Sequence, residues 1–219
     1  MVIAVDGPAG AGKSTVCRLV AERLGFIYLD TGAMYRAVAW ALRETGAPFE
    51  EDAHLVMGLK GLPLHFAIRE NALSITYKGR EIAGDLREPD ITRLASEVSQ
   101  RPPVRDYLTA WQRKLATAGN IVAEGRDMTT VVFPDADVKV FITADLATRT
   151  RRRQREYLQK GMEVDFSQLL KEIRSRDEAD AGRGIAPLRP AEDAFFLDTS
   201  CLEIDQVVLR ILSLTEGLP

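Results

Sequence analysis

The sequence predicts an α/β fold, a mostly parallel, five-stranded sheet with helices on both faces. Three observations carry that prediction. Short apolar runs at Val2–Val5, Phe26–Leu29, Ile121–Ala123, Val138–Ile142 and Phe195–Asp198 alternate with longer segments whose apolar residues recur at helical spacing. Gly7-Pro8-Ala9-Gly10-Ala11-Gly12-Lys13-Ser14 follows the first run and opens the first helical segment. Leu64–Arg69, Leu73–Lys78 and Arg80–Ile82 then interrupt the alternation with short strands, separated by the turn residues Glu70-Asn71 and Lys78-Gly79. They predict a small antiparallel insert whose role is structural or substrate-covering.

Each element has its own warrant. Over Ser14–Leu24, Val16, Leu19, Val20 and Leu24 share one side of a helix, and Gly25 stands where a left-handed residue ends it. After the second strand Asp30-Thr31-Gly32 turns the chain. Ala33–Thr45 follows as a helix with Val38, Ala41 and Leu42 inward, and Thr31 is placed to cap it. Gly46-Ala47-Pro48 closes that helix, and Glu50-Glu51-Asp52 is an acidic start for a short one over Ala53–Leu59. Pro89–Ser99 sets Ile91, Leu94, Ala95 and Val98 on one face, and Pro102-Pro103 breaks it. Val104–Ala118 is a longer helix carrying Leu108, Trp111 and Leu115. Ala147–Gln159, Ser167–Ala181 and Leu202–Leu214 complete the set, with Lys160-Gly161 a hinge-like end to the first of them.

Composition narrows the function. A chain of 219 residues holds one mixed domain or a core with small lobes, and its 46% hydrophobic content is ordinary for a globular protein. A formal net charge of −3 provides no global positive field, which argues against a nucleic-acid binder. Cys17 and Cys201 form neither a disulfide framework nor a metal spacing, and His54 and His65 lie outside any motif. Met1 leads straight into a core strand, without a secretory leader, and no apolar run is long enough to span a bilayer. A cytoplasmic, monomeric protein without a membrane partner is the expectation.

The glycine-rich stretch is a full G-x-x-x-x-G-K-[ST] phosphate loop, and its strand–loop–helix flanks are those of a P-loop NTPase. Glycines let backbone approach phosphate with no Cβ in the way. Successive N–H groups and the helix N-terminus face the anion. Lys13 can reach the β- and γ-phosphates, and the Ser14 hydroxyl can sit on Mg²⁺. The competing reading is a glycine-rich strand-to-helix turn with no ligand.

Other candidates carry paired readings. Thr31 either caps its helix or, with Arg36 one turn on, faces a second phosphate. Glu124-Gly125-Arg126-Asp127 follows the Ile121 strand, and ligands of open α/β sheets bind outside the carboxyl ends of strands. Arg149, Arg151, Arg152, Arg153 and Arg155 crowd one helix, as a solvated basic face or as a mobile lid over transferring phosphates. Arg176 and Asp180 share a helix face, where an i,i+4 ion pair is the plain explanation; Arg183 lies just beyond. Together these cations suggest two phosphate-bearing ligands meeting at the carboxyl edge of the sheet.

From the first strand to about Leu212 the sequence resembles the bacterial-type cytidylate kinases, a branch of the nucleoside monophosphate kinases. The resemblance rests on Asp6 through Ser14, on Leu29-Asp30-Thr31-Gly32-Ala33-Met34-Tyr35-Arg36, on Gly125-Arg126-Asp127-Met128-Thr129-Thr130 through Ala136, and on Arg176-Asp177 through Leu188. It implies a single kinase domain over 1–219, with a nucleoside-monophosphate lobe near 31–100, an insert near 62–84 and a lid near 149–165. It also implies Mg²⁺-dependent transfer of the ATP γ-phosphate to CMP or dCMP.

By that resemblance ATP would lie on Gly7, Pro8, Ala9, Gly10, Ala11, Gly12, Lys13, Ser14 and Thr15, with the metal on Ser14. Thr31, Arg36 and Arg126 would hold the acceptor phosphate beside Tyr35 and Gly125. Ser96, Arg105 and Asp127 would contact cytosine, and Arg176 and Asp180 the sugar. Lys13, Arg126, Arg183 and the lid residues Arg152 and Arg153 would serve transfer. A carboxylate at Asp127 would accept from the cytosine amine and repel the uracil oxygen, while Arg105 donates to the acceptor edge. The chain departs from the family where serine is common at Thr31, aspartate at Glu124 and glycine at Thr129. Two rivals share the loop: another small-molecule kinase, such as one for shikimate or gluconate, and a nucleotide-binding switch. The Arg126-Asp127 pair and the insert oppose the first. The lack of an Asn-Lys-x-Asp guanine motif opposes a GTP-type switch.

Overall fold

The computed structural model describes residues 1–46, 51–82, 86, 88–159 and 161–218. The expected turn at Ala47-Pro48, the acidic start at Glu50, the end of the insert at 83–84 and the hinge residue Lys160 lie outside the described residues. In chain order the elements are β1 (Val2–Asp6), α1 (Lys13–Leu24), β2 (Ile27–Asp30), α2 (Thr31–Thr45), α3 (Asp52–Gly61), β3 (Leu64–Arg69), β4 (Ala72–Tyr77), β5 (Arg80–Glu81), α4 (Pro89–Val98), α5 (Pro102–Ala116), β6 (Ile121–Gly125), β7 (Val138–Thr143), α6 (Leu146–Gln159), α7 (Phe166–Ala181), β8 (Phe195–Asp198) and α8 (Ile204–Ser213). All five parallel-type strands read from the sequence form. The chain divides into two compact units, residues 1–26 with 121–219, and residues 27–120.

In the first unit β1 is central. It pairs in parallel with β6 on one side, Val2 opposite Ile121 and Asp6 opposite Gly125, and with β7 on the other, Ile3 opposite Val138. β8 extends the sheet beyond β7 with Val140 opposite Phe195. Register therefore sets Asp6 beside Gly125 at one carboxyl edge, from which both the phosphate loop and the Arg126-Asp127 turn depart. Ile3, Ala4, Val5, Val122, Ala123, Val140 and Ile142 are buried, as are Val16, Cys17 and Val20 of α1 and Val207, Val208 and Ile211 of α8. Each large aliphatic side chain contributes about 1.5–3 kcal/mol by leaving water. Gly7 is obligatory here, because a Cβ would sit 1.9 Å from the Ile142 carbonyl oxygen at a φ of +153°.

The second unit contains the insert. β3 and β4 pair antiparallel from Leu64–Tyr77 to Arg69–Ala72, and β5 adds to β4. The turns fall where expected: Glu70 and Asn71 have φ of 49° and 58°, and Lys78 and Gly79 50° and 80°. The positive φ at both central residues matches the twist of a tight hairpin. β2 joins β4 through Tyr28 opposite Ala72. Trp111 of α5 stands edge-on to His65 and Phe66 of the hairpin, with ring centroids 5.6 and 5.4 Å away. The hairpin is thus bound into a core of its own unit, with Phe66, Ile75 and Leu64 buried.

Three local expectations change. Asp30, not Thr31, caps α2: its carboxylate accepts from the Ala33 N–H at 2.8 Å, and the helix begins at Thr31. Pro102 and Pro103 do not merely break a helix; they open α5, where a missing N–H costs nothing. Met128–Val132 forms a π-helical turn that periodicity did not show.

Candidate active site

The phosphate loop runs from the end of β1 into α1, whose first turn carries no acidic residue and whose N-cap is Gly12 at a φ of 89°. The positive end of the helix is therefore open to an anion. Lys13 is buried against the loop itself, donating from Nζ to the Gly7 carbonyl at 2.7 Å and the Pro8 carbonyl at 2.9 Å. Burial, followed by the Arg126 guanidinium, pushes its ammonium down to about 7, against the opposing pull of Glu124, Cys17 and Asp6. Ser14 and Thr15 on the same first turn are exposed. The Ser14 hydroxyl is thus accessible beside the loop, a hard oxygen of the kind Mg²⁺ takes together with phosphate oxygens. Among the described residues no group of three or more His, Cys, Asp or Glu forms a protein cage for a metal.

A carboxylate organises the arginines beyond β6. Asp180 is 1% exposed and accepts from Arg126 Nε at 2.8 Å and from Arg183 Nη2. Burial raises its pKa, but Arg126, Arg183 and Arg176 outweigh that and hold the carboxyl below its usual range. The structure thus brings four sequence-derived candidates, Arg126, Arg176, Asp180 and Arg183, into one charge network. The plain i,i+4 reading of Arg176 with Asp180 understates it, since the direct partners come from the end of β6 and from the end of α7.

Asp6 carried no chemical signal of its own in the sequence, yet it fixes the neighbouring turn. Its fully buried carboxylate accepts from the Met128 N–H at 2.8 Å, the Thr129 N–H at 2.7 Å and the Thr129 hydroxyl at 2.7 Å. Burial raises its pKa, while these three donors oppose the rise. Thr129 therefore uses its hydroxyl to tie the π-helical turn to β1. Asp127 lies just before that turn, 2% exposed, and its carbonyl accepts from Val131 and Val132.

The arginines of α6 separate. Arg151 and Arg155 are exposed, the solvated reading. Arg152 reaches the loop, donating to the Ala11 carbonyl at 3.3 Å, and is held by the Thr199 hydroxyl at 3.0 Å and carbonyl at 2.7 Å. Arg153 turns instead to Glu156 at 2.7 Å and to the Tyr157 ring, so Arg152 and Arg153 do not face the loop as a pair. Arg149 is buried and belongs to neither reading.

In the second unit Thr31 is buried at the start of α2, and Arg36 folds back so that Nη2 lies 3.2 Å from Asp30 Oδ2. An Asp30 carboxylate thus occupies the guanidinium that the sequence reserved for phosphate. Arg105 is 4% exposed, stands 5.8 Å from the Tyr35 ring centre and donates to the Ser99 carbonyl at 3.1 Å. Ser96 is one turn away, its carbonyl accepting from the Ser99 hydroxyl at 2.8 Å. Asp30 was detectable as a cap residue before a helix; nothing local marked Asp6.

A phosphate loop at the carboxyl edge of a parallel sheet, flanked by arginines gathered on a buried carboxylate, places the protein among P-loop phosphotransferases. A computational profile of the cytidylate kinase family matches residues 3–217. The cytidylate kinase of Carboxydothermus hydrogenoformans is 45% identical over 98% of this chain and 96% of its own length. That of Thermosipho melanesiensis is 46% identical over the same shares. The chain belongs to the cytidylate kinase family. Its fold is also similar to an uncharacterised protein from Eubacterium ventriosum, with a TM-score of 0.53 at 14% identity over 99% of both chains.

Proposed function

We propose that this chain transfers the γ-phosphoryl group of ATP to CMP or dCMP, giving ADP and CDP or dCDP. The observation that carries the reading is the phosphate loop with Lys13 and Ser14 beside the Arg126–Asp180–Arg183 network in one unit. An oxygen of the acceptor phosphate forms a bond to γ-phosphorus as the bond to the ADP oxygen breaks. Little covalent chemistry is asked of the protein; it positions the phosphates and neutralises their charge.

The loop residues Gly7, Pro8, Ala9, Gly10, Ala11 and Gly12, with Lys13, Ser14 and Thr15, hold the donor, the N–H groups coming from residues other than Pro8, which has none, and Ala9, whose N–H donates to Asp177. Lys13 exchanges the Gly7 and Pro8 carbonyls for phosphate oxygens. The Ser14 hydroxyl would hold Mg²⁺, which would supply charge neutralisation for the phosphates when bound. Arg126 and Arg183, already aimed by Asp180, and the lid arginines Arg152 and Arg153 bind transferring oxygens. Thr31 and Arg36 take the acceptor phosphate beside Tyr35 and Gly125, with Arg36 leaving Asp30 for a stronger anion. Ser96, Arg105 and Asp127 read cytosine, while Arg176 and Asp180 serve the sugar.

The protein works as a cytoplasmic monomer on small molecules, with no nucleic-acid or membrane partner. Among the described residues no helix is long and apolar enough to cross a membrane. An ADP-release assay with ATP and Mg²⁺ across CMP, dCMP, UMP, AMP, GMP and shikimate tests the reading. Turnover on CMP and dCMP with UMP far behind is expected. Turnover on AMP or shikimate instead refutes the cytosine assignment, and none on any acceptor with ATP still bound refutes transfer.

A further inference from the structure

Arg149 has no place in the mechanism above, yet its side chain is 9% exposed and bonded through both Nε and Nη1. Its Nε donates to the Ala144 carbonyl at 2.8 Å, at the end of β7. Its Nη1 lies 2.5 Å from Asp177 Oδ2 on α7 and 3.0 Å from the Ala9 carbonyl. Asp177 Oδ1 in turn accepts from the Ala9 N–H at 3.3 Å. Both backbone polar groups of one phosphate-loop residue are therefore gripped by a single ion pair. Gly10 completes the contact: a Cβ there would lie 3.1 Å from the Arg149 carbonyl oxygen and 3.2 Å from its Cβ. A side chain there would press α6 away from the loop by a few tenths of an ångström, at a φ of +74° that favours glycine.

We propose that Arg149 and Asp177 are positioning residues, a clasp that holds the phosphate loop in shape for the triphosphate donor. The charges explain why both members are needed. A carboxylate bonded to the loop would by itself repel phosphate, and the guanidinium cancels it where solvent screening is weak. Arg149 thus acts on phosphate through Ala9 and Asp177, without touching it. Because its partners lie on β7, α7 and the loop, the clasp also fixes the start of α6 against the donor site. The clasp rests on the kinase reading for its ligand, but donor affinity alone tests it.

The test compares R149M, D177A and the double variant by calorimetric ATP binding, KM for ATP and for CMP, and melting temperature. R149M leaves the Asp177 carboxylate uncompensated, so ATP affinity falls about tenfold or more while KM for CMP changes less than about twofold. Removing that carboxylate in R149M/D177A restores at least about threefold of the loss in ATP affinity while KM for CMP stays within about twofold, a selectivity that a purely structural pair does not produce. Equal rises in both KM values, or a double variant as weak as the sum of the singles, overturns the clasp. If R149M does not fold, R149K decides. Its ammonium keeps the charge but cannot span Ala144, Ala9 and Asp177 together, so ATP affinity falls about threefold or more with KM for CMP unmoved. No change, or an equal change in both, overturns the proposal. If the wild type binds ATP but transfers nothing, the kinase reading falls, and the clasp is still judged on ATP affinity.

Discussion

Binding of a triphosphate at pH 8 is expected to draw a proton from the buffer. In the ligand-free chain Lys13 is held at about 7 by burial and by Arg126. At that value roughly nine molecules in ten carry a neutral Lys13 at pH 8, and roughly one in ten at pH 6. Phosphate oxygens replacing the Gly7 and Pro8 carbonyls bring full negative charge to the amine, which restores the ammonium. The ligand releases no compensating proton at pH 8, because phosphate loses its last proton near about pH 6. Calorimetric titration with ATP in buffers of different ionisation enthalpy reads the stoichiometry directly. An uptake of about 0.9 proton at pH 8 is the expected result; at pH 6 Lys13 takes up only about 0.1 and the half-protonated phosphate releases more than that, so the sign reverses. K13R removes the uptake, since a guanidinium stays charged throughout. Zero uptake or net release at pH 8 would refute the reasoning, and an uptake unchanged in K13R would assign the proton to another group.

The same shift governs stability without ligand. The unfolded chain keeps the Lys13 proton up to its ordinary value of 10.5, whereas the folded chain releases it near 7. The unfolded state therefore binds more protons across that window, and stability rises with pH through it. The penalty of burying the charge is fully present below pH 7.

Two further perturbations separate the parts of the site. D127A is expected to lower kcat/KM for CMP on the order of a hundredfold or more while changing the weak activity on UMP by less than a few-fold; equal losses on both would remove Asp127 from base reading. T129V deprives the buried Asp6 carboxylate of one of its donors and is expected to cost about 1–3 kcal/mol in urea unfolding, with T129S recovering most of it; a T129V as stable as the wild type would show that the two backbone N–H groups suffice.

What the sequence disclosed depended on how local the cause was. The phosphate loop is a continuous run with flanks that fold locally, so its residues alone reveal both its position and its purpose. The tight turns at Glu70-Asn71 and Lys78-Gly79 were legible for the same reason. The start of α2 was not, because Asp30 and Thr31 are both good cap residues. β2 runs extended as far as Asp30, at φ −80° and ψ 92°, and that aims the Asp30 carboxylate at the Ala33 N–H. The arginines of α6 show the limit most clearly. A charge run carries no mark of which guanidinium turns inward, and the partners that bury Arg149 are Asp177, 28 residues away, and Ala9, 140 away.

Three carboxylates at the donor edge share one logic. Asp6 holds the turn at Met128–Thr129, Asp180 aims Arg126 and Arg183, and Asp177 grips Ala9. Each places negative charge close to the phosphate loop, which helps only if every carboxylate is held by donors. The observed partners do that: two N–H groups and a hydroxyl for Asp6, two guanidiniums for Asp180, and a guanidinium and an N–H for Asp177. The acids thus fix geometry at little electrostatic cost, and Lys13 and the α1 N-terminus keep the field that attracts phosphate. Removing an acid therefore loosens a cation or a loop, whereas removing its partner leaves a bare carboxylate facing the ligand. The second class of change is expected to weaken nucleotide binding more than the first.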